Sequence, residues 1–123
     1  MKLSTNANIG DAITPDAGYL TYYRSSADNT VWAIYWSGSA WVQVQLDATA
    51  VMSSSSTSLF LPYYMTYVDS AGKLQVLYYA GKWGHVPLGD GGFNLTGGIG
   101  IQKSTYWVYA RRSDGNVLFF YYQ

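Results

Sequence analysis

Three stretches of the chain share one pattern of apolar and polar positions. They are Thr30-Val31-Trp32-Ala33-Ile34-Tyr35-Trp36, Lys73-Leu74-Gln75-Val76-Leu77-Tyr78-Tyr79 and Asn116-Val117-Leu118-Phe119-Phe120-Tyr121-Tyr122. Each ends on an aromatic pair, and successive pairs lie 43 residues apart. A turn pair precedes each stretch (Asp28-Asn29, Ala71-Gly72, Asp114-Gly115), the chemistry that a two-residue hairpin with positive φ requires. Before each turn lies a second aromatic-rich segment: Leu20 to Arg24, Tyr63 to Tyr67 and Tyr106 to Ala110. The unit predicted is strand, tight turn, strand.

Further strands flank the hairpins. Trp41-Val42-Gln43-Val44-Gln45-Leu46 alternates strictly, as a half-exposed strand does. Its counterpart is Trp83-Gly84-His85-Val86-Pro87-Leu88, where the proline marks a sheet edge because it has no N–H to give a neighbour. Leu59-Phe60-Leu61, after the serine run Ser53–Ser56, and the glycine-rich Gly97–Ile101 precede the second and third hairpins, while Asp11–Thr14 fits loosely before the first. The pattern therefore predicts four strands per unit and three units, roughly residues 8–50, 51–93 and 94–123. The last unit is short of a fourth strand, which residues 1–7 are expected to supply as a closing strand. Without it the aromatic run Phe119–Tyr122 is an open, aggregation-prone edge.

An all-β fold of three four-stranded repeats suits two architectures. One is half of a six-bladed β-propeller completed by dimerisation, since three blades cannot close a ring alone. The other is a single-chain β-trefoil. Neighbouring strands joined by short turns are the order of a propeller blade, which favours the first and a homodimer.

Composition narrows the picture. The chain has 123 residues, with 13 Tyr, 18% aromatic and 11% charged residues, no Cys, and seven acids that are all Asp. Without Glu, and with few Lys and Arg, it lacks the straight-chain residues that favour helix. A net charge of zero leaves no electrostatic footprint for nucleic acid, whose affinity comes from phosphate neutralisation. No stretch is long and apolar enough for a membrane-spanning helix. The opening Met1–Asn6 has no apolar segment of the secretory kind, and the site of residence stays open.

The stretch Tyr23…Asp28-Asn29-Thr30-Val31-Trp32-Ala33-Ile34-Tyr35-Trp36-Ser37-Gly38-Ser39-Ala40-Trp41 resembles the blade of the fucose-binding six-bladed β-propeller lectins of fungi and bacteria. Tyr79-Ala80-Gly81-Lys82-Trp83 is similar, one residue shorter. The resemblance implies sugar sites between blades, an aromatic ring stacking on the sugar, an Arg on the second strand and a Glu on the third. Counted along this chain, those Arg positions hold Tyr22, Met65 and Val108, and the Glu positions hold Ala33, Val76 and Phe119. The aromatic positions are retained at Trp36, Trp41, Tyr79, Trp83 and Tyr122. With the charged grip absent, polar contacts are expected from residues near the turns, Arg24 and Arg111 foremost.

Other chemistries have little to stand on. His85 is the single histidine, and no Gly-x-Ser-x-Gly elbow accompanies the serines. Asp47 and Asp90 recur 43 residues apart, which places them in equivalent loops of different units rather than face to face. Asp28 and Asp114 are explained by their turns, and Asp90-Gly91-Gly92 reads as another. Neither a metal-ligand cluster nor a phosphate-cradling loop is present in the sequence. The expectation is a non-enzymatic, lectin-like carbohydrate-binding protein without cofactor or metal, its partners glycans. The alternative is a structural or protein-interaction propeller, degenerate or engineered, that binds no sugar.

Overall fold

The computed structural model describes residues 9–16, 19–61, 63–88, 94–102 and 107–120. These residues form antiparallel strands and turns, with no helix. Seven strands run as one meander: β1 (Ile9–Asp16), β2 (Leu20–Ser25), β3 (Thr30–Trp36), β4 (Trp41–Leu61), β5 (Tyr64–Asp69), β6 (Leu74–Tyr79) and β7 (Trp83–Pro87). A separate three-stranded sheet holds β8 (Leu95–Gln102), β9 (Trp107–Arg112) and β10 (Val117–Phe120), with β9 in the middle. Neither sheet closes on itself among the described residues, and β7, carrying Pro87, is an edge as its sequence requires.

β4 organises the molecule. Its first part, from Trp41 to Val51, pairs with β3, and its second, from Met52 to Leu61, pairs with β5. Side chains from both halves share one core: Leu20, Tyr22, Val31, Ala33 and Leu46 on one side, Met52, Met65, Tyr67 and Leu77 on the other. The meander is therefore folded over at β4 into two four-stranded faces. Irregular register near Val31/Asp47 and between Met52 and Thr57 accommodates the fold-over, since bulges bend and twist a strand. The serine run Ser53–Ser56 lies inside this strand and is no break. The pairs on either side of it, Met52 with Asp69 and Thr57 with Tyr67, carry the strand through, and backbone pairing is indifferent to side-chain polarity.

A second core joins β5 and β6 to the three-stranded sheet. Val68, Leu74, Leu95, Val108 and Ala110 are buried there, with Leu88, Ile99, Ile101, Leu118 and Phe120 packed around them. Each large apolar side chain buried in either core contributes about 1.5–3 kcal/mol.

The hairpin loops are longer than the two residues expected from sequence. Residues 70–72 and 113–115 make three-residue loops with matching bonds: Gly72 N–H to Asp69 O and Gly115 N–H to Arg112 O, both 3.0 Å. Asp69 N–H to Lys73 O and Arg112 N–H to Asn116 O follow, both 2.8 Å. The first loop has four residues and closes through Asn29 N–H to Ser25 O at 3.1 Å. The left-handed positions fall where the sequence put them, at Asn29, Gly72 and Gly115. A turn followed by a left-handed residue needs three loop residues rather than two. Asp28, Asp69 and Asp114 accept backbone N–H groups two residues ahead, a turn role expected for the first and last.

The expected closing strand of residues 1–7 and the Asp90-Gly91-Gly92 turn lie outside the described residues.

Candidate functional site

A cleft of ≈ 590 Å³ opens between the two faces of the folded meander. Leu20, Tyr35 and Val44 line it from β2, β3 and β4; Tyr63, Tyr79 and Trp83 line it from the opposite face. Its size falls within the range of small-molecule sites. Among the described residues no charged side chain lines it, and their side-chain hydrogen-bonding groups are three tyrosine hydroxyls and one indole N–H.

Local structure fixes each ring. The turn between β6 and β7 passes through Gly81 at φ 81°, closed by Ala80 N–H to Lys82 O at 3.0 Å. That turn sets Tyr79 opposite Trp83, with ring centroids 5.4 Å apart. The edge of Trp83 meets Tyr22 at 5.8 Å and 85°, so the indole is anchored in the core on one side and open to the cleft on the other. Tyr79 is 50% exposed. Tyr63 has φ 63°, costly for a bulky residue, and two bonds hold it: its N–H to Asp16 Oδ2 at 2.9 Å and its carbonyl from Tyr79 N–H at 3.3 Å. The Tyr22 hydroxyl donates to the same Asp16 oxygen. Burial first, then that bond, pushes the Tyr22 hydroxyl far above its ordinary value and keeps it neutral. The hydroxyls of Thr14 and Thr57, 43 residues apart, tie β1 to β4 across the same fold-over.

Beside the cleft, His85 on β7 bonds through Nδ1 to Asp47 Oδ2 on β4 at 2.8 Å. Asp47 Oδ1 accepts from the N–H (2.9 Å) and hydroxyl (2.6 Å) of Thr49. Burial opposes the Asp47 charge, but the bonds from Thr49 and His85 outweigh it and hold the carboxyl below its ordinary value. Asp47 thus sits in a strand and joins the two faces, and is not the loop residue expected from its spacing to Asp90.

The expected site residues separate into groups. Tyr79 and Trp83 come together in the cleft. Trp36 and Trp41 form their own pair, centroids 5.5 Å apart, across the Gly38 turn and outside the cleft. Arg24 is engaged by Asp11 through two bonds of 2.6 Å, and Arg111 is exposed on β9 with its Nε donating to Thr96 at 3.3 Å; neither lines the cleft. Tyr122 lies outside the described residues. Tyr22, Met65, Val108, Ala33 and Val76, counted at charged positions of the resemblance, are buried, while Phe119 is exposed. Sequence reasoning missed Leu20, Tyr35, Val44 and Tyr63. The available signal was the 43-residue offset itself, which sets one unit's hairpin against the next unit's aromatic pair.

The described residues contain no group of three side chains suited to hold a metal ion and no helix long and apolar enough to cross a membrane. Compared with known proteins, the chain matches no family model, no curated protein and no solved structure.

Proposed function

We propose that this protein is a non-enzymatic carbohydrate-binding module of the lectin kind, and that the cleft between its first two groups of strands is a sugar site. The observation that carries the reading is the pair Tyr79 and Trp83, set against each other in a cleft whose described lining carries no charge. The C–H face of a pyranose is apolar and stacks on such rings, while the tyrosine hydroxyls and indole N–H meet its rim. A glycan array tests this: retention of uncharged glycans by the protein, lost in Trp83→Ala, supports it, and silence across the array with the fold intact removes it.

We place the chain as half of a six-bladed propeller, closed by a second copy, rather than as a trefoil. Support comes from the sequential order of the strands and from exposed Trp107, Val117 and Phe119 on the third sheet. The equivalents of Val117 and Phe119 in the first unit, Val31 and Ala33, are buried against the next group of strands. Light scattering tests it, with a mass of about twice 13.6 kDa expected and a monomer favouring the trefoil. Several sites on one ring would raise the weak affinity of each by avidity.

One observation favours the second reading, a structural or interaction propeller without sugar binding. The positions matched to the charged grip of the resembling lectins are mostly buried core. That reading predicts the silent array.

A further inference from the structure

We propose that His85 is the polar anchor of the ligand in this cleft, its Nε2 accepting a hydrogen bond from a hydroxyl of an uncharged pyranoside stacked on Trp83. The inference rests on the carbohydrate reading of the cleft and adds to it a specific acceptor and a ligand class.

Trp83 and His85 are two residues apart on β7 and so share one face of the strand. That face looks across the fold-over: Trp83 packs on Tyr22, and His85 reaches Asp47. Along β4, Val44 lines the cleft and Asp47 stands three residues further on. His85 therefore stands beside the lining residue Trp83, two residues or about 6.7 Å further along the strand, a separation that a stacked ring and one of its hydroxyls span together.

The orientation of the imidazole is built in. Asp47 Oδ2 takes the bond from Nδ1, and both Thr49 donors fix the other carboxylate oxygen. An ionised carboxylate only accepts, so the ring proton belongs on Nδ1, and in the neutral imidazole Nε2 is the acceptor. The His85 side chain is 26% exposed and that of Asp47 16%, which leaves the imidazole reachable and its carboxylate partner shielded. The described lining residues offer hydroxyl and indole groups but no side-chain imidazole, amide or carboxylate. Through Nε2, His85 adds an imidazole nitrogen to the hydroxyl oxygens of the lining. With no cation among the described lining residues to match an acidic sugar, the ligand class is the neutral pyranosides.

The test is a titration of the ¹⁵N-labelled protein with the methyl α-pyranosides of glucose, mannose, galactose and fucose. The Nε2 resonance of His85 is expected to move saturably with whichever glycoside binds best. His85→Ala should weaken that glycoside about three- to tenfold, the worth of one neutral hydrogen bond. Asp47→Asn keeps the shape but can offer an amide N–H to Nδ1, moving the ring proton to Nε2 and turning the acceptor into a donor; a similar loss is expected. A stationary Nε2 resonance at saturation, or unchanged affinity in both variants while Trp83→Ala removes binding, overturns the role of His85 and leaves the cleft reading standing. If the unaltered protein binds none of the four glycosides and the array is silent, both fall.

Discussion

The interface between the first and second groups of strands differs in kind from that between the second and third. The first buries large and aromatic side chains, Tyr22, Met52, Met65, Tyr67 and Leu77, with Trp83 edge-on to Tyr22. Side-chain groups bond across it, Asp16 accepting from Tyr63 N–H and Asp47 from His85. The second is built from the aliphatic side chains of Val68, Leu74, Leu95, Val108 and Ala110, and the backbone bond across it, Leu95 N–H to Gly72 O at 2.9 Å, has its counterpart in the first, Met52 N–H to Asn29 O at 2.9 Å. One strand plan supports both. The backbone tie is common to both, and the side chains make the difference: bulky rings meeting at an angle leave a cleft with polar rims, whereas the second interface is filled by aliphatic side chains.

The largest expected effect falls on the aromatic interface. Leu77→Ala should cost about 2–5 kcal/mol in urea unfolding. Val108→Ala, which removes fewer methyl groups from the aliphatic interface, should cost less; the reverse order would mean the second core is the stiffer one. Next comes Gly72→Ala. Its φ is 76°, and a new Cβ would lie 3.3 Å from the backbone of Asn94 and Leu95, so about 1–3 kcal/mol is expected. Gly81→Ala shares the left-handed backbone but meets open space, and only the smaller conformational cost applies. Equal losses in thermal scans would show that the close backbone approach at Gly72 carries no cost of its own.

Two tyrosines sharpen the first interface further. Tyr22→Phe leaves Asp16 without its hydroxyl donor and should cost roughly 1–2 kcal/mol. The Tyr67 hydroxyl is buried with no hydrogen-bond partner among the described residues, so Tyr67→Phe should be neutral or stabilising. The smallest effect is electrostatic. The Asp47 carboxyl is held below its ordinary value, so its contribution is complete above the ordinary carboxylate range and lost as pH falls through the lowered one. An acid titration of stability should therefore be flatter in Asp47→Asn than in the unaltered protein over that window.

Much of the fold was legible in the sequence. Alternating β-branched and aromatic runs placed the strands, and Asn29, Gly72 and Gly115 marked the left-handed turn residues because few other side chains tolerate that backbone. Two features were not. The serines of β4 carry no apolar signal, and only the pairing of their neighbours Met52 and Thr57 with β5 runs the strand through them. The partnership of Asp47 with His85 spans 38 residues, and repeat spacing alone suggested a loop. For the site, the sequence named Tyr79 and Trp83 through their turn. Their cleft partners Leu20, Tyr35 and Val44 come from the preceding unit and become visible only when the units are packed.

The central claim, that an uncharged sugar is held in the aromatic cleft, is tested most directly by calorimetric titration of an array-identified neutral glycan into three proteins. The unaltered chain and Trp107→Ala, altered on the third sheet, should give the same saturable heat, and Trp83→Ala should give none. Saturable binding by Trp83→Ala at undiminished affinity, or its loss in Trp107→Ala, would contradict the account.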